Sequence, residues 1–317
     1  MSKVDLYVKA ATRDNTRRSY RSAIEHFEVS WGGFLPATSD SVARYLADYS
    51  ETLSINTLKQ RLAALAQWHI EQGMPDPTKA PLVKKVLRGI RATHPRQEKQ
   101  AKPFQLLQLE QLDEWLEQQI TTAKAQGNEA AQRKHVRDRA IILLGFWRGF
   151  RSDELSRIEI EHVHIILGEG MTMFLPFNKT SYQGETYKAP ALARLCPVDA
   201  YQAWIELSKL TTGPVFRAIN RWGHISDQGL HPVSFISLLR DLFARAAIPS
   251  PESYSSHSLR RGFATWATAN GWDLKALMSH VGWKDVRSAM RYIDSPDPFE
   301  KHRINASLQL PASENRN

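Results

Sequence analysis

Three side chains of this sequence can between them carry phosphoryl chemistry: His257, Arg260 and Tyr292. His257-Ser-Leu-Arg260 opens a stretch that reads as a helix with a polar start and an apolar continuation. Residues three apart on a helix lie one turn apart and face the same point in space. A guanidinium fork and an imidazole converging on one point suit a phosphate. Tyrosine is a weak nucleophile, with an ordinary pKa of roughly 10. It needs a neighbour to take its proton and cations to stabilise a five-coordinate phosphorus. The sequence offers no P-loop, no acidic triad for Mg²⁺ and no zinc spacing between its eleven histidines and its one cysteine, Cys196. The expectation is therefore phosphoryl transfer on protein cations, with no cofactor.

This stretch resembles the tyrosine recombinase (phage integrase) family, the Xer and Cre recombinases among them. The family pattern is His-x-x-Arg, then a His or Trp, then a tyrosine nine residues further on; here these are His257, Arg260, Trp283 and Tyr292. His280 is the tempting alternative, but Val281-Gly282-Trp283 occupies the place of the family's Leu-Gly-His, which gives the role to Trp283. Arg148-Gly-Phe-Arg151-Ser-Asp-Glu154-Leu resembles the first arginine box, making Arg151 the first catalytic arginine and Glu154 its supporting acid. Lys179, in the turn Asn178–Gly184, takes the place of the family's hairpin lysine, and Lys188 in the following strand is its rival.

The resemblance implies the mechanism. Arg151 and Arg260 would hold the two non-bridging oxygens of a DNA phosphate. Tyr292 would attack phosphorus, leaving a 3′-phosphotyrosine and a free 5′-hydroxyl. His257 would manage the tyrosine proton and Lys179 would protonate the departing oxygen. Trp283 would pack the pocket and donate its indole N–H, since indole cannot accept. The covalent bond conserves the phosphodiester energy, so ATP is not required. Two such exchanges through a Holliday junction make a site-specific recombinase, working as a homotetramer on two double-stranded DNA sites with inverted-repeat half-sites. Two other readings stand beside it: a type IB topoisomerase, and a catalytically silent DNA-binding protein on the same fold.

Composition agrees with a nucleic-acid partner. The 317 residues carry 42 Lys and Arg against 33 Asp and Glu, a formal charge of +9. That points to a polyanion. No apolar run approaches the roughly 20 residues that span a bilayer, and the start Met-Ser-Lys-Val-Asp has no signal-peptide core. A single cysteine suits a reducing cytoplasm, and the expected location is cytoplasmic, on the nucleoid.

The elements that must position these residues are expected to form a mainly α chain with a small antiparallel β-sheet, and the resemblance implies that they are arranged as a two-domain DNA clamp. Residues 1–94 are expected to be a helical, SAM-like core-binding domain whose first dozen residues are frayed. Apolar residues recur at Val83, Val86, Leu87 and Ile90, spaced as on one helix face. Candidate DNA contacts are Arg13, Arg17 and Arg21 on one helix face and Lys84, Lys85, Arg88 and Arg91 on another. Residues 95–104, polar, basic and bounded by prolines, read as a linker. Residues 105–317 are expected to form the catalytic domain. Its β region is placed at His162–Leu167, Thr172–Phe177 and Thr186–Ala189. Arg217–Leu230 reads as a loop, in which Arg221 is a further DNA contact. The chain opens almost directly on the helical part, so the extra arm-binding domain of some phage integrases is expected to be absent. In the family a C-terminal segment docks on a neighbouring protomer; here Phe299, Ile304 and Leu308 supply its apolar side.

Overall fold

The structure is a computed structural model and describes residues 2–12, 14–95, 101–176 and 184–290. The chain divides into two compact units, Met1–Lys99 and Gln100–Asn317.

Among its described residues the first unit has helices and no strand, its α-helices being α1 (Lys3–Ala11), α2 (Asp14–Glu25), α3 (Ser39–Asp48), α4 (Ile55–Glu71) and α5 (Pro81–Thr93). The expectation that the first dozen residues fray is corrected, since α1 covers most of them. Thr38 caps α3 by accepting from the Ser41 N–H. Ser54 caps α4 in the same way through Thr57. Phe27, Val42, Tyr45, Leu46, Leu58, Leu65 and Val83 make the core. His69 is buried in it with both ring nitrogens used: Nδ1 donates to the Leu65 carbonyl at 2.7 Å, and Nε2 accepts from the Ala37 N–H at 2.9 Å. Lys84, Lys85, Arg88 and Arg91 line the exposed side of α5, opposite Val83 and Ile90.

The second unit is built round α7 (Glu129–Arg148), buried almost continuously from His135 to its end. It packs against α6 (Leu106–Ala125) and later helices. Its last residues run Ala140-Ile-Ile-Leu-Leu-Gly-Phe-Trp, apolar on every face, as a helix enclosed on all sides must be. After α8 (Ser152–Ser156) come β1 (Val163–Ile166), β2 (Gly170–Leu175) and β3 (Glu185–Pro190), an antiparallel sheet in that order. The register pairs Val163 with Met173 and Met173 with Tyr187. Met171, Met173, Leu175, Tyr187 and Ala189 are buried, while Thr186 and Lys188 alternate outward. Then follow α9 (Pro197–Ser208), β4 (Arg217–Ile219), β5 (Ile225–Gly229), α10 (Ser234–Arg245), α11 (Ser256–Ala269), α12 (Leu274–Val281) and α13 (Val286–Met290).

Two expectations are corrected here. The segment 217–230 is not a plain loop, because β4 and β5 pair antiparallel through it. Its turn is closed by Asn220, whose Oδ1 accepts from the Trp222 and His224 N–H groups at 2.9 and 3.0 Å. The stretch 95–104 is not linker to its end. The Lys102 and Phe104 N–H groups donate to the Ser253 and Ser258 carbonyls, both at 3.0 Å, and the fully buried Phe104 ring stacks on Phe243. No helix among the described residues is long and apolar enough to cross a membrane.

Candidate active site

Helix α7 ends at Gly149, whose left-handed backbone (φ 59°, ψ 35°) lets its N–H and that of Phe150 bond back into the last turn. The chain reverses there and sets Arg151 at the cap of α8, with about a quarter of its side chain exposed. Glu154, three residues on, is buried. Its carboxylate accepts from the Arg151 backbone N–H at 2.7 Å and from Arg151 Nη1 at 2.5 Å.

The second arginine arrives from far along the chain. Ser255 and Ser258 form a capping box at the start of α11, which fixes where the helix begins. His257 then sits exposed on the first turn, and Arg260, one turn later, is 0% exposed. Arg260 Nη1 donates to the Gly149 carbonyl at 2.6 Å and stands 3.6 Å from Glu154 Oε2; Nη2 donates to the Val281 carbonyl at 3.0 Å. The forks of Arg151 and Arg260 thus converge on one buried carboxylate. Two cations side by side repel, and the charge of Glu154 between them offsets that repulsion where water cannot.

Helix α12 ends on Gly282 in the left-handed region (φ 73°), and the Trp283 N–H bonds back to Met278 at 2.9 Å. This turn lays the buried Trp283 ring 5.0 Å from the Arg260 guanidinium, within cation–π range. His280 is half-buried beside the end of α7. Its Nε2 donates to the Trp147 carbonyl at 2.8 Å and its ring stacks on Phe263. Burial, with Arg148 close by, pushes its pKa down to about 4, so it is uncharged at neutral pH.

Arg151, Glu154, Arg260 and Trp283 therefore meet in one place, and His257 stands on the exposed first turn of the helix that carries Arg260. Lys179, Tyr292 and Arg13, and the tail residues Phe299, Ile304 and Leu308, lie outside the described residues. Lys188 lies on the solvent face of β3, opposite to Tyr187. Arg221 is exposed at the β4–β5 turn, its guanidinium 3.9 Å from the centre of the Trp222 ring. Arg17 bonds to Asp14 and to the Thr12 carbonyl, and Arg21 is exposed.

Sequence reasoning missed Arg148. It is buried, donates to the His280 carbonyl and stacks over the Phe150 and Tyr187 rings at 5.7 and 5.1 Å. Burial lowers its pKa to about 10, partly offset by Tyr187, Glu154 and Glu185, so it remains a cation. The signal that could have found it is an arginine closing a helix run that is otherwise apolar on every face.

The sequence pattern of the phage integrase family matches residues 110–297. The chain is 26% identical over 304 residues to the integrase/recombinase xerD homolog of Selenomonas ruminantium, covering 92% of this chain and 85% of that one. It is 22% identical over 280 residues to the recombinase cre of Escherichia phage P1, covering 83% and 78%. In structure it is similar to the Tn1549 transposon integrase in complex with circular intermediate DNA, at a TM-score of 0.61 and 15% identity over 96% of each chain. It is also similar to the XerH site-specific recombinase bound to palindromic difH substrate, at a TM-score of 0.60 and 15% identity over 92% of this chain and 78% of that one. At such identity the structural likeness establishes the fold, and the sequence match establishes the family. The chain belongs to the phage integrase family of tyrosine recombinases, enzymes that cut and rejoin DNA.

Proposed function

We propose that this chain performs site-specific recombination by forming a 3′-phosphotyrosine at Tyr292, with Arg151 and Arg260 as the cations that hold the scissile phosphate. The observation that carries the reading is the convergence of these two forks on Glu154, from helix starts more than a hundred residues apart in sequence. A guanidinium fork presents paired donors to a phosphate and keeps its charge at any pH of interest. Arg151 is the accessible one. Arg260, enclosed as it stands, engages when DNA binding opens that edge of the pocket. His257, exposed on the first turn of α11, takes the tyrosine proton. Lys179 donates the proton to the leaving 5′-oxygen. Trp283 packs the arginine from the side.

In this reading residues 1–94 are the core-binding domain and 105–317 the catalytic domain, which together close on double-stranded DNA. The exposed cations of α5, with Arg17 and Arg21 of α2 and Arg221 of the β4–β5 turn, make the phosphate contacts. A homotetramer on two sites with inverted-repeat half-sites exchanges strands through a Holliday junction, in the cytoplasm on the nucleoid.

The test is covalent trapping. A site selected from a random pool by binding is built into a nicked duplex, which releases a short product and holds the adduct. The parent protein should leave a protein–DNA band on a denaturing gel, and Tyr292→Phe should bind the same duplex and leave none. An adduct that survives Tyr292→Phe removes Tyr292 as the nucleophile. Relaxation of supercoiled plasmids lacking the selected site would favour a topoisomerase instead.

A further inference from the structure

The end of α7 and the end of α12 are joined by more than Arg260. Residues 147–149 make three successive polar contacts with the elements beside them. The Trp147 carbonyl accepts from His280 Nε2 at 2.8 Å. The Arg148 guanidinium donates to the His280 carbonyl. The Gly149 carbonyl accepts from Arg260 Nη1 at 2.6 Å. His280 therefore bonds twice to neighbouring residues of α7, once through its side chain and once through its backbone. It lies immediately before Val281-Gly282-Trp283, the turn that lays Trp283 against Arg260.

Arg148 also reaches the sheet. Its guanidinium lies over the ring of Tyr187 on β3, whose hydroxyl donates to Glu185 at 3.0 Å. A side chain placed at Gly282 would come within 3.6 Å of that hydroxyl, so β3 and the Gly282 turn lie against each other with Arg148 beside them. A buried cation is expensive unless its charge is used. Neither Arg148 nor His280 belongs to the set that meets the phosphate in the proposed reaction.

We infer that Arg148 and His280 are positioning residues, a paired tether that fixes the Val281–Trp283 turn to the end of α7 and so sets Trp283 and Arg260 at their working distance from Arg151. The consequence for cleavage rests on the reaction proposed above. The tether itself does not, and it is testable without DNA. Catalytic geometry is unforgiving, since displacements near 1 Å far from the chemistry can cost about a hundredfold in rate.

The substitutions are Arg148→Met, which keeps the apolar stem and removes the donor, and His280→Phe, which keeps the ring stack on Phe263 and removes the bond to Trp147. His280→Gln, whose amide can still donate to the Trp147 carbonyl, is the conservative rescue. The first measurement is hydrogen exchange on the full chain without DNA. In Arg148→Met and His280→Phe the amides of residues 278–284 should exchange at least about tenfold faster, with α9 unchanged. In His280→Gln they should stay near the parent. The second measurement is single-turnover cleavage of the nicked duplex at saturating protein, beside the dissociation constant on intact duplex. Arg148→Met and His280→Phe should lose at least about tenfold in cleavage rate with affinity held within about twofold, and His280→Gln should recover most of the rate.

Parent-like exchange in both disruptive variants overturns the tether. Local loosening with a parent-like cleavage rate overturns the positioning role. Affinity falling in step with cleavage reduces the pair to general fold support and also overturns it. If Arg148→Met does not fold, the contrast between His280→Phe and His280→Gln decides alone. A parent protein that forms no adduct counts against the proposed reaction, while the exchange result still judges the tether.

Discussion

Three histidines show how differently one residue type is used here. His257 is exposed on the first turn of α11 and is the residue assigned a proton in the proposed reaction. His280 is half-buried, bonded through Nε2 and held uncharged by burial and by Arg148. His135 is buried, with its pKa pushed down to about 4 by burial and then by Arg245 and Lys134. Both imidazoles refuse a proton that the unfolded chain accepts. Stability is therefore complete above about pH 6.5 and falls as pH drops towards 4, by up to roughly 3 kcal/mol for each imidazole. Denaturant unfolding at a series of pH values checks this. The parent should lose stability steadily through that window, and His280→Gln should lose it less steeply, by close to one proton's worth of slope. Equal slopes would show that His280 is not held neutral. The arginines divide in the same way: Arg151 and Arg260 share Glu154, while Arg148 is spent on a carbonyl and two rings.

At the scale of elements, the site depends on where helices stop and start. Gly149 and Gly282 end α7 and α12 in the left-handed region, and the Ser255–Ser258 box starts α11. A third glycine decides packing. A side chain added at Gly262 would stand 1.7 Å from the Phe104 carbonyl, because residues 102–104 cross α11 at that point. Gly262→Ala should therefore cost at least about 2 kcal/mol despite alanine's better helix propensity, since the overpacked segment must move. A chemical denaturation curve with stability within about 0.5 kcal/mol of the parent would refute that. The sequence displayed both ends of this contact and not their meeting. Residues 95–104 are polar and proline-bounded, and only the tertiary contact shows that the last of them belong to the core. The β4–β5 hairpin escaped for a similar reason. Its strands carry no alternating apolar face and are held by backbone pairing, by Asn220 and by Arg137, whose Nη1 donates to the Arg217 carbonyl at 2.9 Å.

For the whole molecule, the formal charge of +9 includes one grouped set of exposed cations. Lys84, Lys85, Arg88 and Arg91 gather on the exposed side of one helix of the first unit, behind which Val83 and Ile90 are buried. If these cations neutralise DNA phosphates, replacing all four by alanine should flatten the slope of log affinity against log salt by roughly 0.9 for each phosphate no longer neutralised. Fluorescence titration at several salt concentrations reads the slope, and an unchanged slope would move the DNA interface elsewhere. Sequence by itself carried the family pattern, because this depends on residue type and chain spacing: His257, Arg260, Trp283 and Tyr292 in order, with Arg151 and Glu154 earlier. It also determined the helical class and the three-stranded sheet, because hydrophobic periodicity is local. Only the tertiary structure decided that Arg151 and Arg260 share one carboxylate, that His280 and Arg148 bind α12 to α7, and that Phe104 lies across Gly262. Each of those is a contact between residues distant in the chain, fixed by packing and by the need to pair buried charge, and no spacing along the sequence encodes it.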